Sequence, residues 1–209
     1  MKKYELTEET TNIFGKTLHR IRATRDFSNV HAGDLGGFIE NELNLSHDRD
    51  TWVYGNAWVY GNAWVYGEAR VYGNAWVYGE ARVGGNALVS GDARVGGKAL
   101  VSGEARVGGN ARVYGDASVE GNARVYGNAL VKGPRDIYWI PCIGSRDGTT
   151  TFFRNANNGI SVSCGCFYGT IDEFAAAVTK THGDNEHAQA YRHAIEIAKL
   201  RIKLEDAES

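Results

Sequence analysis

Apolar and polar positions alternate with a period of six through the middle of this chain. Between Trp52 and Gly133 a phrase that begins as Val-Tyr-Gly-Asn-Ala-Trp recurs almost without interruption and drifts towards Val-Gly-Gly-Asn-Ala-Arg. Alanine stands two residues before valine, so both side chains point to the same side of an extended strand. The repeated valines are Val53, Val59, Val65, Val71, Val77, Val83, Val89, Val95, Val101, Val107, Val113, Val119, Val125 and Val131. Self-similarity at a fixed period indicates a solenoid.

A corner follows each short strand. Glycine stands two residues after every repeated valine, and Asn, Asp or Glu follows it in most repeats. Glycine accepts positive φ freely, and Asn and Asp tolerate the left-handed region. Strands interrupted this often cannot form a meander, but they can wind into coils that pair with neighbouring coils at about 4.8 Å. The pattern therefore predicts a mainly β fold whose narrow interior is filled by rows of Ala and Val.

The Val-x-Gly-Asn-Ala-x repeats resemble the hexapeptide repeats of left-handed parallel β-helices, the superfamily that includes trimeric acyltransferases. Three hexapeptides form one triangular coil in that superfamily, so the resemblance implies about four to five coils between Val53 and Lys132 and a left-handed sense. This chain differs from the most familiar version, because glycine stands two residues after the aliphatic position and not one. The resemblance specifies a fold and implies little about activity.

The repeat divides the chain into three predicted regions. Residues 1–46 are expected to form an N-terminal cap with a β-hairpin and an irregular first coil, because an uncovered solenoid end exposes unpaired backbone. Residues 47–133 form the hexapeptide-repeat β-helix. The period ends at Gly133-Pro134, and residues 134–209 are predicted to form a small α+β domain with a three-stranded sheet and two helices.

Two stretches of the C-terminal region have the signals of helices. The first covers residues 171–181, with Thr170 as its N-cap and Gly183 after its end. The second covers residues 186–204 and places five apolar residues near helical spacing. These residues are Ala190, Ala194, Ile197, Leu200 and Leu204.

The residues that point outward change in character along the repeat. Aromatic side chains crowd the first coils, and arginines follow in two columns in which Arg94 is predicted to lie over Arg112 and Arg106 over Arg124. Exposed aromatics on a rigid surface often mark a binding patch; ladders that stiffen each face, or side chains beneath the caps, are the open alternative. The partner-binding candidates are Trp52, Trp58, Trp64, Trp76, Tyr54, Tyr60, Tyr66, Tyr72, Tyr78, Arg94, Arg106, Arg112 and Arg124.

The charge balance argues against a nucleic-acid partner. The 209 residues include 23 Lys and Arg and 25 Asp and Glu, for a formal net charge of −2, so no strong global field would attract nucleic acid or anionic membranes. Acidic residues also recur at corners near the arginine columns, which predicts a solvated, internally paired surface. They are Glu68, Glu80, Asp92, Glu104 and Asp116.

Hydropathy and cysteine usage predict the compartment. No run of about 18 apolar residues occurs and the N-terminus lacks an apolar signal core, so we expect a soluble protein in the cytoplasm of a bacterial host cell. Cys142, Cys164 and Cys166 are an odd number and suggest reduced thiols, and for Cys164 and Cys166 we expect thiols buried at strand ends. Cys164-Gly-Cys166 is a weak metal or redox motif without a second pair. We expect no metal or other cofactor.

Acyl transfer is the enzymatic alternative. The acyltransferases that the repeat resembles need a general-base histidine near a coil face, and no histidine occurs between His47 and His182. His47 at the rim is the nearest base. A zinc hydratase of the kind built on the same coil needs three histidine ligands, and the repeat has none. His187 and His193 are six residues apart, so they do not share a helix face.

The whole arrangement, with residues 32–37 before the repeats and residues 138–141 after them, resembles hexapeptide-repeat proteins encoded by bacteriophages and prophages. We predict a non-enzymatic, phage-encoded β-solenoid binding protein that acts by protein–protein interaction. The resemblance suggests an inhibitor of a host defence effector such as a CRISPR-Cas nuclease, an anti-CRISPR type of protein. A hexapeptide-repeat acyltransferase using acyl-CoA and a structural or virion-assembly protein are the alternatives, and a homo-oligomer stays open.

Overall fold

The N-terminal segment is a hairpin that joins the solenoid edge to edge. The structure, a computed structural model, describes residues 2–205. The antiparallel strands β1 (Tyr4–Ile13) and β2 (Lys16–Ala23) form the hairpin. Strand β3 (Leu35–Ile39) pairs antiparallel with β2 and parallel with the second repeat strand. The hairpin therefore extends a sheet that the first coil would otherwise leave open at its edge.

Fourteen two-residue strands follow, one for each repeat. Each of the first eleven pairs in parallel with the strand eighteen residues later, so that Arg94 lies beside Arg112. Three parallel stacks result, and the chain is a β-solenoid of about five turns. The strands are Trp52–Val53 (β4), Trp58–Val59 (β5), Trp64–Val65 (β6), Arg70–Val71 (β7), Trp76–Val77 (β8), Arg82–Val83 (β9), Leu88–Val89 (β10), Arg94–Val95 (β11), Leu100–Val101 (β12), Arg106–Val107 (β13), Arg112–Val113 (β14), Ser118–Val119 (β15), Arg124–Val125 (β16) and Leu130–Val131 (β17).

Rows of alanine and valine fill the solenoid, as the period predicts. All repeat valines are 0% exposed, and no repeat alanine is more than 1% exposed. Backbone hydrogen bonds join the coils; for example, the Arg94 N–H donates to the Ala111 carbonyl at 2.8 Å. Burying one valine contributes about 1.5–3 kcal/mol, and ordering each residue costs about 1–2 kcal/mol. A single repeat is therefore not stable alone, and stacking makes the structure.

Glycine at the corners meets two requirements at once. The corner glycines have positive φ, for example 63° at Gly97. A Cβ placed on Gly97 would also lie 2.8 Å from the backbone nitrogen of Gly115 in the next coil. Any other residue would thus be strained in its dihedral angle and would collide with backbone. This explains why glycine stands two residues after valine in this chain.

The N-terminal hairpin covers the first coil with aromatic rings and one buried charge. Trp52 packs edge-on against Tyr4 and Phe27, with ring centroids 6.1 Å and 5.3 Å apart. Beside them the Lys3 ammonium donates a hydrogen bond to the Thr51 carbonyl at 2.8 Å. Burial removes solvation from the charged form and lowers the pKa of Lys3 to about 8.

The C-terminal domain contains a four-stranded antiparallel sheet, and the prediction of three strands was wrong. Its strands are β18 (Ile137–Ile143), β19 (Gly148–Arg154), β20 (Ile160–Cys164) and β21 (Phe167–Thr170). The fourth strand is only four residues long and follows a tight reversal at Gly165, whose φ is 59°. That reversal pairs Cys164 with Phe167, so the Cys-Gly-Cys segment is a hairpin turn.

This sheet caps the last coil, because its two faces pack in opposite directions. Phe153 and Ile137 join the alanines and valines of the solenoid core, whereas Phe152 and Val162 pack under the helices. Alternation along β19 places Phe152 and Phe153 on opposite sides. The Ala156 N–H also donates to the Asn128 carbonyl at 2.9 Å. The sheet is thus a layer between the solenoid and the helices.

The first helix, α1 (Ile171–His182), has the ends that the sequence predicts. Thr170 caps it in a capping box with Glu173, and Gly183 follows its last residue. Its buried side chains include Phe174 and Val178. Among residues 2–205, no helix is both long enough and apolar enough to cross a membrane.

The second helix, α2 (Glu186–Arg201), buries a different set of residues from the apolar set that predicted the helix. Ala194 is buried, but Ile197, Leu200 and Leu204 are 41%, 73% and 42% exposed. The buried face of α2 instead carries three alanines, one tyrosine and one isoleucine. They are Ala188, Tyr191, Ala194, Ile195 and Ala198.

The thiols of Cys164 and Cys166 are more accessible than predicted. Cys142 and Cys166 are exposed, and Cys164 is half-buried; all three are free. The prediction of buried thiols at Cys164 and Cys166 was wrong because these two residues flank a tight turn. Cys142 lies where the register of β18 shifts, with φ of 51°, and Cys166 lies just beyond the turn glycine between β20 and β21.

Candidate partner-binding surface

The outward residues stand on three faces of the solenoid, one for each strand of a coil. Residues eighteen apart stack on the same face, as the sequence predicts. Face 1 is the stack of β5, β8, β11, β14 and β17, face 2 that of β4, β7, β10, β13 and β16, and face 3 that of β6, β9, β12 and β15. Face 1 carries Trp58, Trp76, Arg94, Arg112 and Leu130; face 2 carries Trp52, Arg70, Leu88, Arg106 and Arg124; face 3 carries Trp64, Arg82, Leu100 and Ser118.

Two of the predicted binding residues are not available to a partner. Trp52 is 1% exposed and Tyr60 is 7% exposed. Trp52 lies under the N-terminal hairpin, as described above. Tyr60 packs with Leu18 and Phe38 at the edge of face 1, where β3 joins the hairpin to this sheet. Their selection was wrong because the cap covers repeats whose sequence is the same as that of uncovered ones.

The other aromatic residues form stacked ladders. Ring centroids are 5.0 Å apart for Trp58 and Trp76 and 4.3 Å apart for Tyr54 and Tyr72. The pair Tyr60 and Tyr78 is stacked at 5.6 Å. Stacking between coils holds each ring in one orientation, so the open alternative of face-stiffening ladders describes part of this surface. A rigid ladder with one uncovered side also suits a binding surface.

Trp64 belongs to a different surface from Trp58 and Trp76. It lies on face 3, stacks on Tyr66 at 4.3 Å and is 43% exposed. Its neighbour in the next coil is Arg82. The sequence placed these tryptophans in one patch, and the structure separates them onto two faces of the prism.

The drift of the repeat from Val-Tyr-Gly to Val-Gly-Gly has a packing reason. The ring of Tyr78 leans over the next coil, where a Cβ on Gly96 would lie 2.3 Å from a ring carbon. Tyr66 lies over Gly84 in the same way, at 2.2 Å. Gly84 and Gly96 therefore make room for a tyrosine eighteen residues earlier, whereas a Cβ on the third extra glycine, Gly108, would lie 2.9 Å from the ring of Tyr126, eighteen residues later.

Arg94 and Arg112 occupy neighbouring rungs of face 1, about 4.8 Å apart along the backbone. Within residues 2–205 neither forms an ion pair with a carboxylate. The expectation of an internally paired surface was wrong here, because corner residues stack in columns of their own. Asp92, for example, accepts a hydrogen bond from the Asn74 amide at 3.0 Å. The Arg94 guanidinium instead lies 4.4 Å over the Trp76 ring.

Other segments of the chain accept hydrogen bonds from arginines on the face that carries the second pair. Arg106 and Arg124 are also on neighbouring rungs, on face 2. The Arg124 guanidinium donates to the Gly165 carbonyl of the C-terminal domain at 3.4 Å. Arg70, on the same face, donates to the Ser28 hydroxyl at 3.2 Å. Face 1 therefore carries the more accessible of the two pairs.

The face 1 arginines border an open cavity of about 360 Å3. Tyr78 and Tyr114 are its aromatic lining residues, and the corner glycines Gly97 and Gly115 of neighbouring coils also line it. Tyr114 was missed in the sequence analysis. The eighteen-residue register would have found it, because it continues the column of Tyr60 and Tyr78 after the gap at Gly96.

His47, the only candidate for an acyl-transfer base near the coils, is a packing residue. Its ring stacks on Tyr4 with centroids 4.2 Å apart, and its Nδ1 accepts a hydrogen bond from the Lys3 amide at 3.2 Å. Its Nε2 lies 3.7 Å from a carboxylate oxygen of Glu42. Desolvation by burial lowers its pKa, although Glu42 acts in the opposite direction.

No group of three His, Cys, Asp or Glu side chains in the described part of the chain is arranged to hold a metal ion. His182 and His187 approach each other edge to face, with ring centroids 5.7 Å apart. His182 also lies against the Tyr191 ring. These contacts are packing between α1 and α2.

The repeats match a known family model, that of the YdcK Beta solenoid repeat. The matched segments are residues 53–67, 63–79, 69–85, 81–97 and 105–121. All of them lie within the solenoid, and the description concerns the repeat and assigns no activity or partner. No curated protein matches the chain significantly. Together with the three parallel stacks, the match defines the class of the molecule: it is a β-solenoid repeat protein.

Proposed function

We propose that this chain is a non-enzymatic binding protein. Its face 1 binds a protein partner whose own surface is acidic. The single observation that carries this proposal is the pair Arg94 and Arg112, which stand on neighbouring rungs and form no ion pair with any carboxylate of the described residues 2–205. Like charges directly opposite each other in a sheet are destabilising. An acidic partner would neutralise both guanidinium groups at once, and each can bind a carboxylate in a bidentate manner.

The aromatic ladder supplies contact area beside these charges. Trp58 and Trp76 are half-buried and stacked, and Trp76 also lies beneath Arg94. Tryptophan, tyrosine and arginine are the residues that most often dominate binding energy at interfaces. Because stacking already fixes the rings, little side-chain entropy is lost when a partner binds.

A host defence effector such as a CRISPR-Cas nuclease is the partner class that we propose to test first. This choice rests on the resemblance of the whole chain to phage and prophage hexapeptide-repeat proteins. A compact chain without a catalytic constellation suits inhibition by occupancy of such an effector.

The test is affinity capture from nuclease-treated bacterial lysate, followed by binding measurements with the purified captured protein. The face 1 variant Arg94→Gln plus Arg112→Gln is compared with a control, Arg82→Gln plus Arg106→Gln, which removes the same charge from faces 3 and 2. We expect the face 1 variant to bind at least about 30-fold more weakly, since each charge-assisted hydrogen bond contributes about 1.5–3 kcal/mol. The control should bind like the unchanged chain.

Equal weakening by both variants would show that only net charge matters and would overturn the assignment to face 1. A second pair separates the aromatic residues by face. Trp76→Ala should weaken binding, and Trp64→Ala should not, because Trp64 lies on face 3. The reverse result would place the interface on face 3.

The two alternative functions give different results in the same series. Thermal stabilisation by acyl-CoA that is lost in His47→Ala would favour acyl transfer. Incorporation into purified virions would favour a structural or assembly role. The contacts of His47 with Tyr4, Lys3 and Glu42 provide no support for catalysis, so binding is the function that the geometry favours.

A further inference from the structure

A cavity of about 290 Å3 lies in the C-terminal domain, far along the chain from face 1. It is bounded by the turn after β18, the turn between β20 and β21, and the facing sides of α1 and α2. Its volume is just below the range of about 300–1,000 Å3 that is common for small-molecule sites. The space suits a compact ligand of one ring or a short chain.

The inner walls of the cavity are apolar. Phe167, Phe174, Val178 and Ile143 all belong to its lining. Phe174 contacts both Phe167 and Tyr191, with ring centroids 5.2 Å and 5.3 Å apart. These contacts place three neighbouring aromatic rings in the lining.

Polar groups converge on the cavity from its floor and its rim. The Tyr191 hydroxyl lies 3.5 Å from the Ile143 carbonyl and 3.6 Å from the Cys164 sulfur. The hydroxyl donates to that carbonyl, and burial, together with the neighbouring Cys164, raises the pKa of Tyr191. Ser145 and Thr181 add hydroxyl groups at the rim.

One cation marks the rim. Among the described residues that line the cavity, Arg146 is the only Lys, Arg, Asp or Glu. It forms no ion pair with any carboxylate between residues 2 and 205. A ligand with one negative charge would therefore meet an unpaired guanidinium and no repelling carboxylate in the lining.

We propose that this cavity binds a small organic acid whose apolar, aromatic body contacts Phe167 and Phe174 and whose anionic group contacts Arg146. Burial of the body supplies binding free energy without directional requirements. The anion supplies orientation, because guanidinium groups pair with carboxylate, sulfonate or phosphate through parallel hydrogen bonds. Neither contact involves face 1, so this site is independent of the protein partner.

The binding test uses 8-anilinonaphthalene-1-sulfonate, a fluorescent aromatic anion, with the full chain. Displacement is then measured with 4-phenylbutyrate and with its neutral counterpart 4-phenylbutanol. We expect the acid to displace the dye about tenfold more effectively than the alcohol, the effect of one favourable charge contact. Equal displacement would overturn the role of the anionic group. Inorganic phosphate as a third competitor tests whether an anion without an apolar body suffices; effective displacement by phosphate would overturn the role of the apolar walls.

Two variants locate the site. Ala177→Phe fills the cavity from the α1 side and should abolish dye binding. Arg146→Gln should weaken it about tenfold, whereas the matched control Arg135→Gln, an exposed arginine outside the lining, should leave it unchanged. Equal effects of the two arginine changes would overturn the assignment.

A measurement on the unchanged chain keeps the proposal testable if Ala177→Phe does not fold. Titration with 4-phenylbutyrate should shift the backbone amide resonances of Gly148 and Gly165, which line the cavity. The amide of the corner residue Gly97 should not move. Shifts spread over the solenoid, or no shifts at Gly148 and Gly165, would contradict a site in this cavity.

Discussion

The solenoid and the C-terminal domain bury their apolar residues in opposite ways. The solenoid interior uses only alanine and valine in rows, and every coil repeats the environment of the last. The C-terminal core combines residues of many shapes, including Phe152, Phe174, Tyr191 and Ile195. A buried alanine or valine of the solenoid therefore has the same surroundings as its counterpart in another coil, whereas each residue of the C-terminal core has surroundings of its own.

This difference has an energetic meaning. In the solenoid, stability is approximately a sum over similar coils and the interfaces between them. In the C-terminal domain, a few large side chains join sheet and helices, so loss of one leaves a large cavity. The four predictions below test this contrast, beginning with the largest expected effect.

Truncation of one large side chain should harm the C-terminal domain more than truncation of one valine harms the solenoid. Phe152→Ala should lower the free energy of unfolding by about 3–5 kcal/mol, and Val95→Ala by about 2 kcal/mol. Both residues are 0% exposed, so the comparison is not affected by solvent contact. Chemical denaturation followed by circular dichroism gives both values. A larger loss for Val95→Ala would contradict the contrast.

Two glycines with the same backbone conformation should differ in their tolerance of a methyl group. Gly97 and Gly165 have φ of 63° and 59°, so alanine costs about 1–2 kcal/mol at either position through left-handed strain. Only Gly97 faces a neighbouring coil, whereas no atom lies within 4 Å of a Cβ on Gly165. Gly97→Ala should therefore lower the free energy of unfolding by about 2–4 kcal/mol. Gly165→Ala should lower it by only about 1–2 kcal/mol. Equal losses would show that coils can separate without cost.

The two ends of the solenoid should respond differently to pH. Lys3 has a pKa of about 8 in the folded chain and 10.5 when solvated. Between these values the unfolded chain binds more protons, so the free energy of unfolding should rise from pH 8 to pH 10, by up to about 2 kcal/mol. Above pH 10 the trend should reverse, because burial raises the pKa of Tyr4. Lys3→Met should remove the rise. A rise that persists in this variant would place its origin elsewhere. At the other end of the solenoid the buried cation beside Phe153 is Arg154, which pairs with Asp136 at 3.8 Å and Glu205 at 2.6 Å.

The smallest effect concerns the solenoid surface, which is less uniform than its interior. Arg112→Gln removes one of two like charges on neighbouring rungs and should raise the free energy of unfolding by about 0.2–1 kcal/mol. Arg82→Gln is the matched control, because Arg82 stands between Trp64 and Leu100. If both changes have the same effect on unfolding, the charges on face 1 do not repel each other measurably.

The solenoid could be predicted from the sequence because each repeat carries the residues that its own coil requires. Alanine and valine two residues apart, and glycine at each corner, are local requirements that recur in every coil. The eighteen-residue register rests on three repeats per coil, which the resemblance to hexapeptide-repeat β-helices implied, and it correctly stacked Trp58 on Trp76 and Arg94 on Arg112. The ends of α1 were also predictable, since a capping box and a terminal glycine are local signals.

The C-terminal domain was less predictable because its signals are not local. The short strand β21 exists only through pairing with β20. The buried stripe of α2 is chosen by the sheet beneath it, and small alanines on that side contribute little to a hydrophobic pattern. Sequence periodicity therefore indicated a helix and pointed to exposed residues such as Leu200.

Sequence alone determined that this chain is a β-solenoid with alanine and valine inside, because a fixed period imposes the same backbone and packing on every coil. Tertiary structure alone decided which of the outward aromatic residues remain available, because the caps cover some repeats and not others of equal sequence. Trp52 is buried and Trp64 is exposed, although both precede valine in similar repeats. It also decided that Arg94 and Arg112 stay unpaired and that a cavity opens beside Arg146, since both depend on where distant segments come to lie.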